Sequence, residues 1–183
     1  MPKIFLLSGA SGSGKTTIMQ EILKVEDFYL RFLPSYTTRK PRGSKDNEYI
    51  FVSKKEFARK VEMGELAEYE KVYNDYYGID KNLFSETLRQ GNIIKNIDVK
   101  GALKLKSLYC DRVVIIFITM SADELEKRLI ARGDSKKEID IRLARHYLEE
   151  EAGRQFDHVV NNSHLEDAVE TVKTIIDSHL NKH

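Results

Sequence analysis

The 183-residue sequence has a single cysteine, Cys110, so no disulfide can close within the chain. That usage suits a reducing compartment, and a cytoplasmic protein is expected. Cys110 precedes an apolar stretch and is expected to be a buried structural thiol. Excess charge is also lacking: 30 Lys and Arg face 29 Asp and Glu, a net charge of +1. A general nucleic-acid or membrane-binding surface is therefore not expected, and any cationic site must be local. The longest apolar run, Val113 to Ile118, is far too short to span a bilayer. The opening "MPKIFLLSGAS" runs from a short apolar piece straight into a glycine-rich motif and does not read as a signal peptide. The five histidines are scattered without metal-ligand spacing, and neither a repeat nor a low-complexity linker is found. What is present, 41% apolar and 32% charged residues, suffices for one compact domain, expected as a monomer or homodimer.

Periodicity orders the chain. "KIFLLS" (3–8) reads as a buried strand followed by a glycine loop and a helix around 15–25. Strands are also expected at 48–53, 93–98 and 112–119. Four Ser-x-x-Glu pairs, Ser53–Glu56, Ser121–Glu124, Ser135–Glu138 and Ser163–Glu166, have capping-box spacing and predict helix starts. The last helix gathers Leu165, Ala168, Val169, Val172, Ile175 and Ile176 on one face. Strands alternating with helices argue for an α/β fold with a parallel sheet flanked by helices. Residues 35–78, with short strands, tyrosines and charges, read as one inserted lobe. The helical, arginine-rich residues 122–153 read as a second insertion, leaving 1–34, 79–121 and 154–183 as the core.

"GASGSGKT", from Gly9 through Ala10, Ser11, Gly12, Ser13, Gly14 and Lys15 to Thr16, matches G-x-x-x-x-G-K-[ST] between a strand and a helix. Glycines there let successive N–H groups turn inward around phosphate oxygens, and the helix N-terminus adds positive potential. Lys15 can reach the β- and γ-phosphates of ATP, and the Thr16 hydroxyl can coordinate Mg²⁺. Thr17 adjoins the motif, where a helix N-terminal role competes with a ligand role. No NKxD-type guanine signature marks a switch GTPase, and a second large domain for a motor to move is not expected. A small-molecule kinase fits best, because phosphoryl transfer requires water exclusion and clustered positive charge.

"SYTTRKPRG" (35–43) concentrates hydroxyls and cations around one proline. With "EYIF", "GELAEYEKVYNDYYG", the P-loop, "RLIARG" and "VVNN", it makes nearly the whole chain resemble the guanylate kinases. The resemblance implies a P-loop sheet with a GMP-binding lobe (35–78) and a lid (122–153), and phosphoryl transfer from ATP to GMP with Mg²⁺. It further implies that Arg39 and Arg42 hold the acceptor phosphate with Tyr49 and Tyr77. Ser35 would lie near the guanine edge, and Glu68 would accept from guanine N1–H and the 2-amino group. Paired N–H donors of arginine and a rigid tyrosine hydroxyl suit that task.

Among the lid arginines, Arg128, Arg132 and Arg142 correspond to those that close on the ATP phosphates, Arg132 and Arg142 foremost. Routine helix ion pairs, Glu124–Arg128 and Glu138–Arg142, are the competing explanation, and Arg145–Glu149 is read as such a pair. Asn161 corresponds to a position beside adenine, and Asn96 and Asp98 to acceptor-side positions. The chain departs from the family pattern in three places. Ile79 stands where Ser or Thr contacts guanine, Asn96 replaces an aspartate, and the turn between Arg42 and Tyr49 is shorter. These departures imply a real but reduced preference for GMP over AMP. They also leave open a related kinase acting on ribose 1,5-bisphosphate, beside a non-catalytic guanylate-kinase-like binding module.

Overall fold

A computed structural model describes residues 1–41 and 47–181. Five strands form a parallel sheet: β1 (Ile4–Ser8), β2 (Leu30–Phe32), β7 (Asn92–Asn96), β8 (Val113–Thr119) and β9 (His158–Asn161), in the order β2-β7-β1-β8-β9. β1 and β8 are near-continuous apolar runs because both faces of this sheet are covered by helices. On one face α1 (Lys15–Ile22) and α7 (Leu165–Leu180) pack Ile18, Met19, Val172 and Ile176 against Phe5, Leu7, Ile94 and Ile116. On the other, α3 (Lys81–Gln90) and α4 (Val99–Tyr109) pack Phe84, Leu88, Ala102 and Leu105 against Leu6, Ile93 and Ile115.

A second, four-stranded sheet is built from β3 (Ser35–Thr37), β4 (Tyr49–Phe51), β5 (Leu66–Val72) and β6 (Asp75–Asp80), in the order β4-β3-β6-β5. Only β3 and β4 run parallel. The helix between them and β5, α2 (Lys54–Glu62), plants Phe57 against Tyr69 and Tyr76. Two further helices, α5 (Ala122–Ala131) and α6 (Lys136–Gly153), share a small apolar cluster of Ala10, Met120, Leu125, Leu129 and Ile139. Among the described residues no helix is long and apolar enough to cross a membrane.

Local chemistry explains where the elements stop. Full capping boxes start α5 at Ser121–Glu124 and α6 at Ser135–Glu138, and the Ser53 hydroxyl accepts from Glu56 N at the start of α2. The fourth Ser-x-x-Glu pair is not a cap. His164 occupies the N-cap of α7, while the Ser163 hydroxyl donates to Asn161 Oδ1 at 2.7 Å and Glu124 Oε2 at 3.0 Å. The strand expected over 93–98 ends at Asn96 because the Asp98 carboxylate caps α4, accepting from Lys100 N and Gly101 N. Cys110 differs from expectation too. It is exposed, at φ 48° in the short 3₁₀ turn Cys110–Arg112, since the apolar burial begins only at Val113.

Candidate active site

The loop between β1 and α1 is shaped by two glycines. Gly9 has φ 129°, and a Cβ there would overlap the Ile118 carbonyl oxygen on β8. Gly14 has φ 90°, and its Cβ would overlap the Asn162 amide nitrogen. Both positions are closed to L side chains. Asn162, 1% exposed, donates from Nδ2 to the Ser13 carbonyl at 2.7 Å and so ties the loop to the end of β9. Arg128 donates to the Asn162 carbonyl at 2.8 Å. Lys15 Nζ donates to the Gly9 and Ala10 carbonyls at 2.6 and 2.7 Å. Burial lowers its ammonium to about 8, with Glu149 the largest influence in the other direction. Thr16, in the first turn of α1, is 3.3 Å from Asn96 Nδ2, which also donates to Glu48 Oε2 at 2.7 Å.

Above this loop stand arginines from the helical pair. Asp134 pairs with both Arg132 and Arg142, the latter at 3.1 Å, and Arg142 Nη1 donates to Ser11 Oγ on the loop at 2.6 Å. The helix pairs that compete for these arginines in the sequence do not form. Glu138 and Glu124 are instead held by their capping serines, Ser135 and Ser121. Arg145 does pair with Glu149, at 2.6 Å. Its guanidinium and that of Arg142 also lie over the Tyr73 ring, at 4.9 and 5.4 Å from the centroid.

The second sheet supplies the facing wall. Arg39 is buried, with its guanidinium over the rings of Tyr49 and Phe51 at 5.0 and 5.6 Å and Nη1 donating to the Lys40 carbonyl. Tyr49 and Tyr77 meet edge to face at 5.8 Å. Arg42 lies outside the described residues. The β5–β6 pairing is irregular between Leu66 and Glu68, the kind of bulge that re-aims a side chain. Glu68 is 3% exposed, and its Oε1 has no hydrogen-bond partner. Burial pushes its carboxyl up to about 7, reinforced by Asp98 and opposed by Lys104 and Lys95.

These walls enclose one cavity of about 510 Å³. On the P-loop side Gly9, Ser11, Gly12, Gly14, Lys15 and Thr16 line it. Ser35, Arg39, Tyr49, Glu68 and Tyr77 line it from the second sheet, Asn96 and Asp98 from the end of β7, and Arg132 and Arg142 from above. Ala10 and Ser13 are buried beneath the loop, and Thr17 is exposed on α1. Arg128 and Asn161 do not line the cavity: Arg128 reaches the loop through Asn162, and Asn161 Oδ1 accepts from Ser163.

A family model described as guanylate kinase matches residues 1–179. The chain belongs to the guanylate kinase family. It is 38% identical over 179 residues to the guanylate kinase of Wolbachia sp. subsp. Brugia malayi, covering 95% of this chain and 91% of that protein. With the guanylate kinase of Porphyromonas gingivalis it shares 38% identity over 182 residues, 96% of this chain and 97% of that one. A crystal structure of guanylate kinase from Anaplasma phagocytophilum superposes with a TM-score of 0.81 at 27% identity, covering 99% of this chain and 87% of that chain.

Within this guanylate kinase framework, several cavity residues were not singled out by any sequence motif. Lys95, Glu48, Tyr73 and Glu149 all line the site, as does Arg145. Lys95 carries a signal that could have found it: it is a charge at a core-facing position of an interior strand. Ile93 on the same face packs in the core, and Lys95 is 3% exposed. Ile79, by contrast, is turned away from the cavity. It is 1% exposed and packs with Phe84 and Leu88.

Proposed function

We propose that the chain transfers the γ-phosphoryl group of ATP to GMP, giving ADP and GDP. In this reading 35–78 is the acceptor-binding lobe, 122–153 the lid, and the remainder the core. The observation that carries it is Glu68: a buried carboxylate without a hydrogen bond, facing the same cavity as the P-loop lysine. Guanine presents N1–H and a 2-amino group, both donors, to such a carboxylate. Adenine presents a lone pair at N1 and repels it. A sugar bisphosphate leaves the carboxylate desolvated with nothing to bind, which is unfavourable by more than a neutral group would be.

The rest of the site supplies charge and position. The P-loop amides and Lys15 would hold the donor phosphates, and Arg39 with Tyr49 and Tyr77 would hold the acceptor phosphate. Arg142, already at the loop through Ser11, and Arg132 beside it would face the group in transit, where cationic donors stabilise developing charge. The Thr16 hydroxyl, with the Glu48 carboxylate linked to it through Asn96 Nδ2, offers oxygen ligands that suit a hard cation. Thr16 would thus hold Mg²⁺, which would supply positive charge to offset the negative charge of the ATP phosphates.

The test is an ADP-release assay with GMP, dGMP, AMP, CMP, UMP and ribose 1,5-bisphosphate as acceptors. The expected result is turnover led by GMP and dGMP. Turnover of ribose 1,5-bisphosphate with none of the nucleotides used would overturn the reading. A folded Lys15→Ala protein should lose at least about a hundredfold in kcat, as for other removed electrostatic stabilisers.

A further inference from the structure

Lys95 sits on β7 in register with Leu6, on the face that elsewhere holds Ile4, Leu6, Ile93 and Ile115. An ammonium at such a place is desolvated at considerable cost, so its partners should be complete. They are not. Nζ donates to the Leu33 carbonyl at 2.9 Å and to Ser35 Oγ at 2.6 Å, which accounts for two of three N–H donors. The residue lines the cavity beside Ser35 and Glu68. Glu68 faces the same space with its own Oε1 unpartnered, and its carboxyl carbon lies close against Gly101 of α4, where a Cβ would come within 3.2 Å. One buried donor and one buried acceptor, neither satisfied, thus open side by side onto one end of the site.

Resting on the guanylate reading above, we propose that Lys95 is a specificity-determining residue. Its third N–H donates to the 6-oxo oxygen of guanine while Glu68 accepts from N1–H and the 2-amino group. The order acceptor, donor, donor along the guanine edge meets donor, acceptor at the protein. Adenine offers a 6-amino donor to Lys95 and an N1 lone pair to Glu68, so both ends are mismatched. Burial lowers the Lys95 ammonium to about 7, with Glu68 the largest influence raising it. An oxo oxygen at the third donor adds a further partner for the charged form. Lys95 thereby compensates for the departures at Ile79 and Asn96, which by themselves imply weakened base discrimination.

The test compares kcat/KM for GMP, 6-thio-GMP and IMP in wild type, Lys95→Met and Glu68→Gln. A thione is a poorer acceptor than an oxo group, and IMP lacks only the 2-amino donor. Wild type should prefer GMP over 6-thio-GMP by about tenfold or more, as for loss of a charge-assisted hydrogen bond. Lys95→Met should bring that ratio to about one while keeping the penalty on IMP, and Glu68→Gln should do the reverse. A purely structural lysine would lower all three substrates together. Lys95→Met with the wild-type ratio of GMP to 6-thio-GMP overturns the inference alone, because GMP turnover by wild type still supports the guanylate reading. Should that variant not fold, wild type decides by itself, since equal use of GMP and 6-thio-GMP overturns the role. Wild type without GMP turnover overturns both this inference and the guanylate reading.

Discussion

At the scale of single residues, the site holds buried and half-buried charges, and the protonation of its lysines and carboxylates depends on what they meet. Lys15 is the clearest case. Its ammonium is lowered to about 8, chiefly by burial. Phosphate oxygens of bound ATP favour the charged form and raise that value. Between the free and bound values, binding must take up a proton, so ATP affinity should fall as pH rises through 8, by at most about tenfold per unit. Calorimetry at pH 8.5 in buffers of different ionisation enthalpy should show proton uptake; none, or release, contradicts it. Arg39 gives a second test. Arg39→Ala should raise KM for the acceptor about tenfold or more while leaving that for ATP nearly unchanged, and Arg39→Lys should recover only part. Equal weakening of both substrates would place Arg39 elsewhere. Ile79 shows where residue-by-residue comparison misleads. The pattern suggests that a serine there would add a contact to guanine. Because the side chain is packed with Phe84 and Leu88, Ile79→Ser should instead cost about 2–5 kcal/mol in denaturant unfolding, like other truncations in a core.

At the scale of elements, the parts with strong local chemistry were legible in the sequence. The P-loop fell between a buried strand and a helix, and Ser121 and Ser135 announced α5 and α6. Ser163 did not announce α7. Its spacing is that of a capping box, but its hydroxyl is drawn to Asn161 and Glu124, and no local pattern records that pull. The same limit hid Asn162, one residue from the asparagine that the family resemblance selects. Its role exists only because β9 ends beside the P-loop, more than a hundred residues earlier in the chain. Asn162→Ala leaves the Ser13 carbonyl unsatisfied in a buried setting. A loss of about 1–3 kcal/mol is expected, which at this chain length lowers Tm by roughly 2–10 °C. KM for ATP should rise with it. Ser121→Ala, which touches only a helix start, should cost about 1 kcal/mol and leave KM for ATP alone. If both variants behave alike in KM, Asn162 is not holding the loop.

At the scale of the whole molecule, two layers meet across the cavity through Tyr73. It occupies the turn between β5 and β6 at φ 57°, and its ring lies beneath Arg142 and Arg145 of α6. No periodicity marks such a residue, since the contact joins two segments that the sequence keeps about seventy positions apart. Tyr73→Ala should reduce kcat about two- to thirtyfold, in line with one or two exposed cation–π contacts of roughly 0.5–1 kcal/mol each. Tyr73→Phe, which keeps the ring, should match wild type. Should the alanine variant also match wild type, the contact has no part in bringing the layers together.

Asp134 has a consequence for the pace of turnover. It pairs with both Arg132 and Arg142 and so offsets one of their two positive charges. A phosphate that engages these arginines therefore exchanges one counter-anion for another. On the proposed reading, the grip on that phosphate is the difference between two ion pairs, and the departing product would hand the guanidinium groups back to a waiting carboxylate. A resident competitor of this kind weakens the hold on reactant and product alike, and so shortens the dwell time of a tightly charged product on the enzyme.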